Sequence, residues 1–173
     1  MLEAFFRNCA CRDLSEAEAS AHVLVVDDEP MILDAVAATL QLDGFSNVVC
    51  MSSPREALAH AERSPVDLVL SDLCMPELDG IDLLARVAQL HPFAPRILLT
   101  GRAEPLAIRR AAQLARPFAL IEKPWCNRSL SSEVCRALAW RRDLQKEPSP
   151  EKREARVSRD LDRTAADLMS TWV

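Results

Sequence analysis

Short apolar runs alternate with longer amphipathic stretches along the chain, and most of the runs close on a charged or turn-forming residue. Residues 22–27 (HVLVVD) are apolar and β-branched and finish on carboxylates, as expected of a strand buried on both faces of a parallel sheet. Pro30 suits the first turn of a helix, and Ile32, Val36 and Leu40 recur at helical spacing until Asp43-Gly44 stops it. Residues 48–51 read as a second strand. Pro54 opens a helix to about Arg63, and residues 66–71 (VDLVLS) form a third buried strand that runs into Asp72.

The pattern then repeats. Met75-Pro76 and Asp79-Gly80 make a turn-rich loop before the apolar face of Leu83, Val87 and Leu90. Residues 96–100 (RILLT) are the fourth strand, 104–115 are helical in pattern, and 118–121 form the fifth strand, ended by Lys123-Pro124. Leu130, Val134 and Leu138 mark a helix to about Arg142. Five strands alternating with five helices on short connections predict right-handed crossovers and an α/β fold, a doubly wound parallel sheet covered on both faces. Residues 21–144 hold this domain after an N-terminal lead-in over 1–20; residues 145–156 (QKEPSPEKREAR) read as a charged linker without apolar periodicity. Val157, Leu161, Ala165, Leu168 and Trp172 then form the stripe of an amphipathic C-terminal helix over 157–173, which cannot stand alone. It can pack on its own domain, dimerise or bind another protein.

Composition narrows the function classes. The 26 acidic and 21 basic side chains leave a net charge of -5, which disfavours a protein that works by neutralising nucleic-acid phosphates. No apolar stretch approaches the roughly 20 residues needed to cross a bilayer, so no membrane insertion is expected. The six cysteines come without a secretory signal, and Cys9 and Cys11 lack further ligands at metal spacing; free thiols in a reducing, cytoplasmic compartment are expected.

In open parallel sheets the functional site lies beyond the carboxyl ends of the strands. Read together, those ends supply Asp27 and Asp28, Asp72, Thr100 and Lys123. Three carboxylates in one place require raised pKa values or a cation, and oxygen-only ligation points to Mg²⁺. Lys123 and the Thr100 hydroxyl can contact phosphoryl oxygens, and an aspartate can accept a phosphoryl group as an aspartyl-phosphate. The histidines His22, His60 and His91 lie away from this set.

The acidic pair Asp27-Asp28, the segment 72–76 (DLCMP) with Asp79-Gly80, Thr100 and Lys123-Pro124 resemble the receiver domains of two-component response regulators over about residues 21–142. The resemblance implies a flavodoxin-like sheet of order 2-1-3-4-5. It implies that Asp72 is the phosphoacceptor, served by a sensor histidine kinase or a phosphotransfer protein. Asp28 and Asp72 would ligate Mg²⁺ directly, Asp27 partly through water, and the Cys74 carbonyl would complete the protein ligands. Thr100 and Lys123 would meet the phosphoryl group, with Lys123 positioned by a cis bond to Pro124. The expected protein is a phosphoacceptor switch, not an enzyme with an external substrate. It would signal by contact with a downstream protein or a second copy, without nucleic acid.

Three positions depart from the family pattern. Leu120 stands where an aromatic residue usually reports phosphorylation, and Phe118, two residues earlier and by alternation on the same face, is a substitute or a plain core residue. Cys74 and Arg102 occupy positions that, in the family it resembles, border the phosphate and tune its lifetime. Arg102, Arg109, Arg110 and Arg116 make the fourth helix region basic, either a solvated face or a dock for an acidic partner. Two other readings are weighed: a degenerate receiver acting as an adaptor or dimerisation module, and an aspartate-nucleophile phosphatase of the haloacid dehalogenase class, whose D-x-D-G motif is missing after the first strand.

Overall fold

The apolar runs form a five-stranded sheet because each is too short for a stable helix, and the three central strands are buried along their whole length. In the computed structural model, which describes residues 14–101 and 104–172, a four-residue helix α1 (Glu16–Ala19) leads into β1 (Val23–Val26). There follow α2 (Pro30–Leu42), β2 (Val48–Met51), α3 (Pro54–Arg63), β3 (Leu68–Asp72), α4 (Gly80–Leu90), β4 (Arg96–Thr100), α5 (Pro105–Leu114) and β5 (Ala119–Glu122). Two long helices, α6 (Asn127–Gln145) and α7 (Pro150–Trp172), complete the described chain.

All four strand pairings are parallel and the order is β2-β1-β3-β4-β5, so the expected doubly wound architecture is the one found. Side-chain alternation splits the core into two layers. Val25, Leu70, Leu99 and Ile121 face α2 and α6, whereas Leu24, Val69 and Leu98 face α3, α4 and α5. Apolar positions at helical spacing close each layer, Leu33, Val36 and Leu40 on one side and Leu84 and Val87 on the other.

Two expectations at the ends of the domain change. The C-terminal helix begins at Pro150 rather than at residue 157, and only residues 146–149 separate it from α6. Its first turn is all polar, so periodicity could not reveal it. Proline at the first helical position and the Ser149 hydroxyl, accepting from the Lys152 backbone N–H at 3.4 Å, start it instead. The stripe residue Leu161 is buried to 2% exposure, with Val157, Ala165 and Leu168 half-buried beside it, and the helix packs on α5 and α6. The side chain of Trp172 lies outside those described. Cys50, Cys74 and Cys126 are free thiols, but Cys135 on α6 is disulfide-bonded, so the expectation of free thiols throughout does not hold.

Among the described residues no helix is long and apolar enough to cross a membrane. The three histidines sit at the amino-terminal edge of the sheet, with His22 Nε2 3.1 Å from His60 Nε2 and His91 bonded to the Ala61 carbonyl.

Candidate functional site

Parallel register brings the carboxyl ends of the strands to one edge. Val26 is paired with Ser71, so the residues that follow, Asp27 and Asp72, stand side by side. Thr100 is paired with Glu122, and the Lys123 N–H donates to the Thr100 carbonyl at 2.7 Å, carrying the ladder one residue past the strand. The peptide bond from Lys123 to Pro124 is cis.

Lys123 is the centre of the pocket. Its ammonium donates to Asp27 Oδ2 at 2.6 Å and lies 2.5 Å from Asp72 Oδ1. Asp27 is fully buried and Asp72 is 6% exposed, so these ionic contacts are shielded from water. Backbone donors take the other carboxylate oxygens: Glu29 N–H donates to Asp27 Oδ1 at 2.9 Å and Cys74 N–H to Asp72 Oδ2 at 2.6 Å. Burial pushes the Asp27 carboxyl above its ordinary pKa despite the Lys123 and Glu29 hydrogen bonds, and the Asp72 charge adds to the rise. Burial alone would lower Lys123, but its hydrogen bonds to the two aspartates outweigh that and raise it. The ammonium is therefore firmly charged.

The remaining expected residues separate into those brought in and those left out. Thr100 is buried at the pocket floor, at 1% exposure. Asp28 has its side chain in solvent, and among the described residues no three His, Cys, Asp or Glu side chains converge closely enough to hold a metal by themselves. Cys74 is exposed; burial, and next the Asp72 charge, raise its thiol pKa. Arg102 lies outside the described residues. Phe118 precedes β5, so strand alternation does not govern it: its ring packs 5.5 Å from Trp140 of α6, under the Arg136 guanidinium at 5.1 Å, while Leu120 joins the opposite core layer. The basic region is partly paired, with Arg110 bridging Asp79 and Asp82 of the α4 N-terminus and Arg116 bound to Asp162 of α7; Arg109 is exposed.

Two residues make contacts that the sequence did not show: Gly80, read there only as part of an Asp-Gly turn, and a second not named for its side chain. Gly80 opens α4 directly over the end of β3, and a Cβ built there would lie 1.8 Å from the Asp72 carbonyl oxygen. Its N–H donates to the Leu73 carbonyl at 2.9 Å, clamping the loop of residues 73–79 onto the acidic strand end. The second is Arg96, at 3% exposure. Its guanidinium donates to the carbonyls of Ala94, Ala115 and Arg116 and braces the α5–β5 connection, while burial, assisted by the charge of Arg116, lowers its pKa to about 10.

The five-stranded parallel sheet of order β2-β1-β3-β4-β5, with helices on both faces, is a flavodoxin-like fold whose strand ends hold two carboxylates on one lysine. The response regulator receiver domain family matches residues 23–134, and the chain belongs to that family. Transcriptional regulatory protein GlrR of Escherichia coli is 40% identical over 105 residues, covering 60% of this chain and 23% of GlrR. The C4-dicarboxylate transport transcriptional regulatory protein DctD of Rhizobium meliloti is 34% identical over 125 residues, 72% of this chain and 26% of DctD. The chain thus spans about a quarter of the length of these relatives. Among solved structures, a CheY-like receiver domain protein from Methanospirillum hungatei superposes with a TM-score of 0.68 at 27% identity, covering 72% of this chain and 98% of that one. The chemotaxis response regulator CheY4 of Vibrio cholerae superposes with a TM-score of 0.62 at 30% identity, covering 69% and 99%.

Proposed function

We propose that this chain is a phosphorylation switch in which Asp72 accepts a phosphoryl group from a phosphohistidine on a sensor kinase or phosphotransfer protein. The observation that carries the reading is the single Lys123 ammonium bonded to both buried carboxylates, Asp27 and Asp72. An oxygen of Asp72 bonds to phosphorus as the P–N bond of the donor breaks; the electron pair leaves with the imidazole, which takes a proton. Lys123 and the Thr100 hydroxyl then face the phosphoryl oxygens.

The donor set fits Mg²⁺, which keeps several waters and needs only one or two carboxylates from the protein. Asp28, from the solvent side, and Asp72 would hold it directly together with the Cys74 carbonyl, and Asp27 partly through water; when bound, it would neutralise charge on the transferred group. Lys123 and the Cys74 N–H keep the Asp72 carboxylate oriented. The chain acts on no external substrate in this reading. It signals by protein contact, and its net charge of -5 supports a role without nucleic acid, although the relatives named above are transcriptional regulators of greater length.

Leu120 favours a second reading, a receiver that has lost its switch and serves as a constitutive adaptor. Intact-mass spectrometry after incubation with Mg²⁺ and acetyl phosphate separates the two. A phosphate adduct on the wild type and none on Asp72→Asn supports the switch; no adduct on either, with a control receiver modified, supports the adaptor.

A further inference from the structure

Helix α7 lies on the face made by α5, the edge strand β5 and α6, and it is held unevenly. Around its midpoint the contact is tight. Leu161 is buried to 2% exposure, Trp140 Nε1 donates to Asp160 Oδ2 at 2.9 Å, and the Arg116 guanidinium reaches Asp162 Oδ1 at 2.6 Å and the Ser158 carbonyl at 2.8 Å. Farther along, a cavity of about 480 Å³ separates Phe118 and Leu120 from Leu168 and Thr171. Among the described residues of α7, Leu161 is the one fully buried apolar side chain, whereas α6 buries Leu130, Val134, Ala137 and Leu138. The other apolar residues of its stripe, Val157, Ala165 and Leu168, are only half-buried, and its polar ties are partly exposed and individually weak.

A surface that fits α7 of its own chain fits α7 of a second copy with the same contacts. Only the effective concentration set by the short connection of residues 146–149 favours the intramolecular pairing. We propose that α7 is an exchangeable element, and that when its docking loosens two copies trade helices to form a two-fold, swapped dimer. A second copy is the occupant because the chain carries the complement itself, Asp162 for Arg116 and Asp160 for Trp140. The face beneath α7 is also tied to the acid pocket: β5 runs into Lys123, and α5 follows Thr100.

Charge reversal tests the exchange without reference to phosphorylation. In the full chain, Arg116→Asp and Asp162→Arg each set like charges against one another within a chain and within any dimer of identical copies. Aspartate tolerates the left-handed backbone at position 116, where φ is 46°. Each variant alone is expected to stay monomeric by light scattering, with faster amide exchange in α7 and β5. Mixing the two one-to-one restores opposite charges at both sites of a swapped pair, so the mass should double and amide protection return. The double variant, repaired within one chain, should be monomeric like the wild type. A mixture that stays monomeric with α7 unprotected, single variants that dimerise as well as the mixture, or an α7 that stays protected in the single variants would each overturn the proposal.

Discussion

Substitution of Gly80 by alanine isolates the contact that fixes the backbone of Asp72. A Cβ at position 80 would sit 1.8 Å from the Asp72 carbonyl oxygen, 2.9 Å from its carbonyl carbon and 3.0 Å from Ser71 Oγ. Most of this overlap is with backbone at the end of a buried strand, so no side-chain rotation relieves it; α4 or the Asp72 peptide must move by more than an ångström. Overpacking of this kind costs about 1–3 kcal/mol. Losing the 2.9 Å bond from Gly80 N–H to the Leu73 carbonyl adds about 1 kcal/mol. The total of about 2–4 kcal/mol corresponds to a drop in Tm of roughly 4–16 °C for a chain of this size. Gly101→Ala is the matched control, because its Cβ would meet nothing within 4 Å; a change within about 0.5 kcal/mol is expected. Thermal unfolding of both variants, followed by circular dichroism, is the assay. A Gly80→Ala protein that melts within a degree of wild type would show that the strand end yields freely and would refute the reasoning.

The other predictions address the charges. Asp72→Asn removes a carboxylate whose charge raises the pKa of Asp27, so its Tm should equal or exceed that of the wild type; a clear loss of stability in a melt would contradict the repulsion argument. Lys123→Met leaves the fully buried Asp27 carboxylate without a cation and should cost about 2–4 kcal/mol at pH 7, with the deficit in urea titrations shrinking as acid protonates Asp27. Arg96→Leu removes three hydrogen bonds from a buried guanidinium and should also cost about 2–4 kcal/mol, and Arg96→Lys should not restore it, because one ammonium does not reproduce the planar fork. His60 has its pKa lowered below 6.5 by burial and then by the charges of His22 and Arg63. The unfolded chain therefore takes up the proton first as pH falls through 6.5, so this contribution to stability is present above that pH and declines below it. Melts at pH 7.5 and 5.5 should differ less for His60→Gln than for wild type.

The sheet was legible because parallel strands, the central ones buried on both faces, are short apolar runs, and 48–51 and 96–100 became β2 and β4 with those bounds. The pocket was legible for a related reason, since its residues are the ones that end the runs. What periodicity could not show is carried by polar contacts. The first turn of α7 has no apolar residue, and its neighbourhood is held by Arg153 and Arg156 bonding to the Glu147 carbonyl and carboxylate. Gly80 reads as an ordinary Asp-Gly turn until the carbonyl beneath it is seen. Arg96 reads as the polar first residue of a strand, although its side chain is a buried brace. Phe118 was assigned a face by alternation, which fails one residue outside the strand.

The Lys123 ammonium has three hydrogens, and the two aspartates engage it through Asp27 Oδ2 and Asp72 Oδ1. Converting Asp72 to an acyl phosphate would cancel the charge on its carboxylate and place about two negative charges farther out along the same side chain. For the lysine this amounts to a relocation of its anion rather than the arrival of a new one. Asp27 keeps its hydrogen, and the hydrogens facing Asp72 are left to follow the charge outward. In that reaction the lysine would work as a swivel with one foot fixed, and the immobile Asp27, which gains nothing from it, would set the direction in which the other foot can turn.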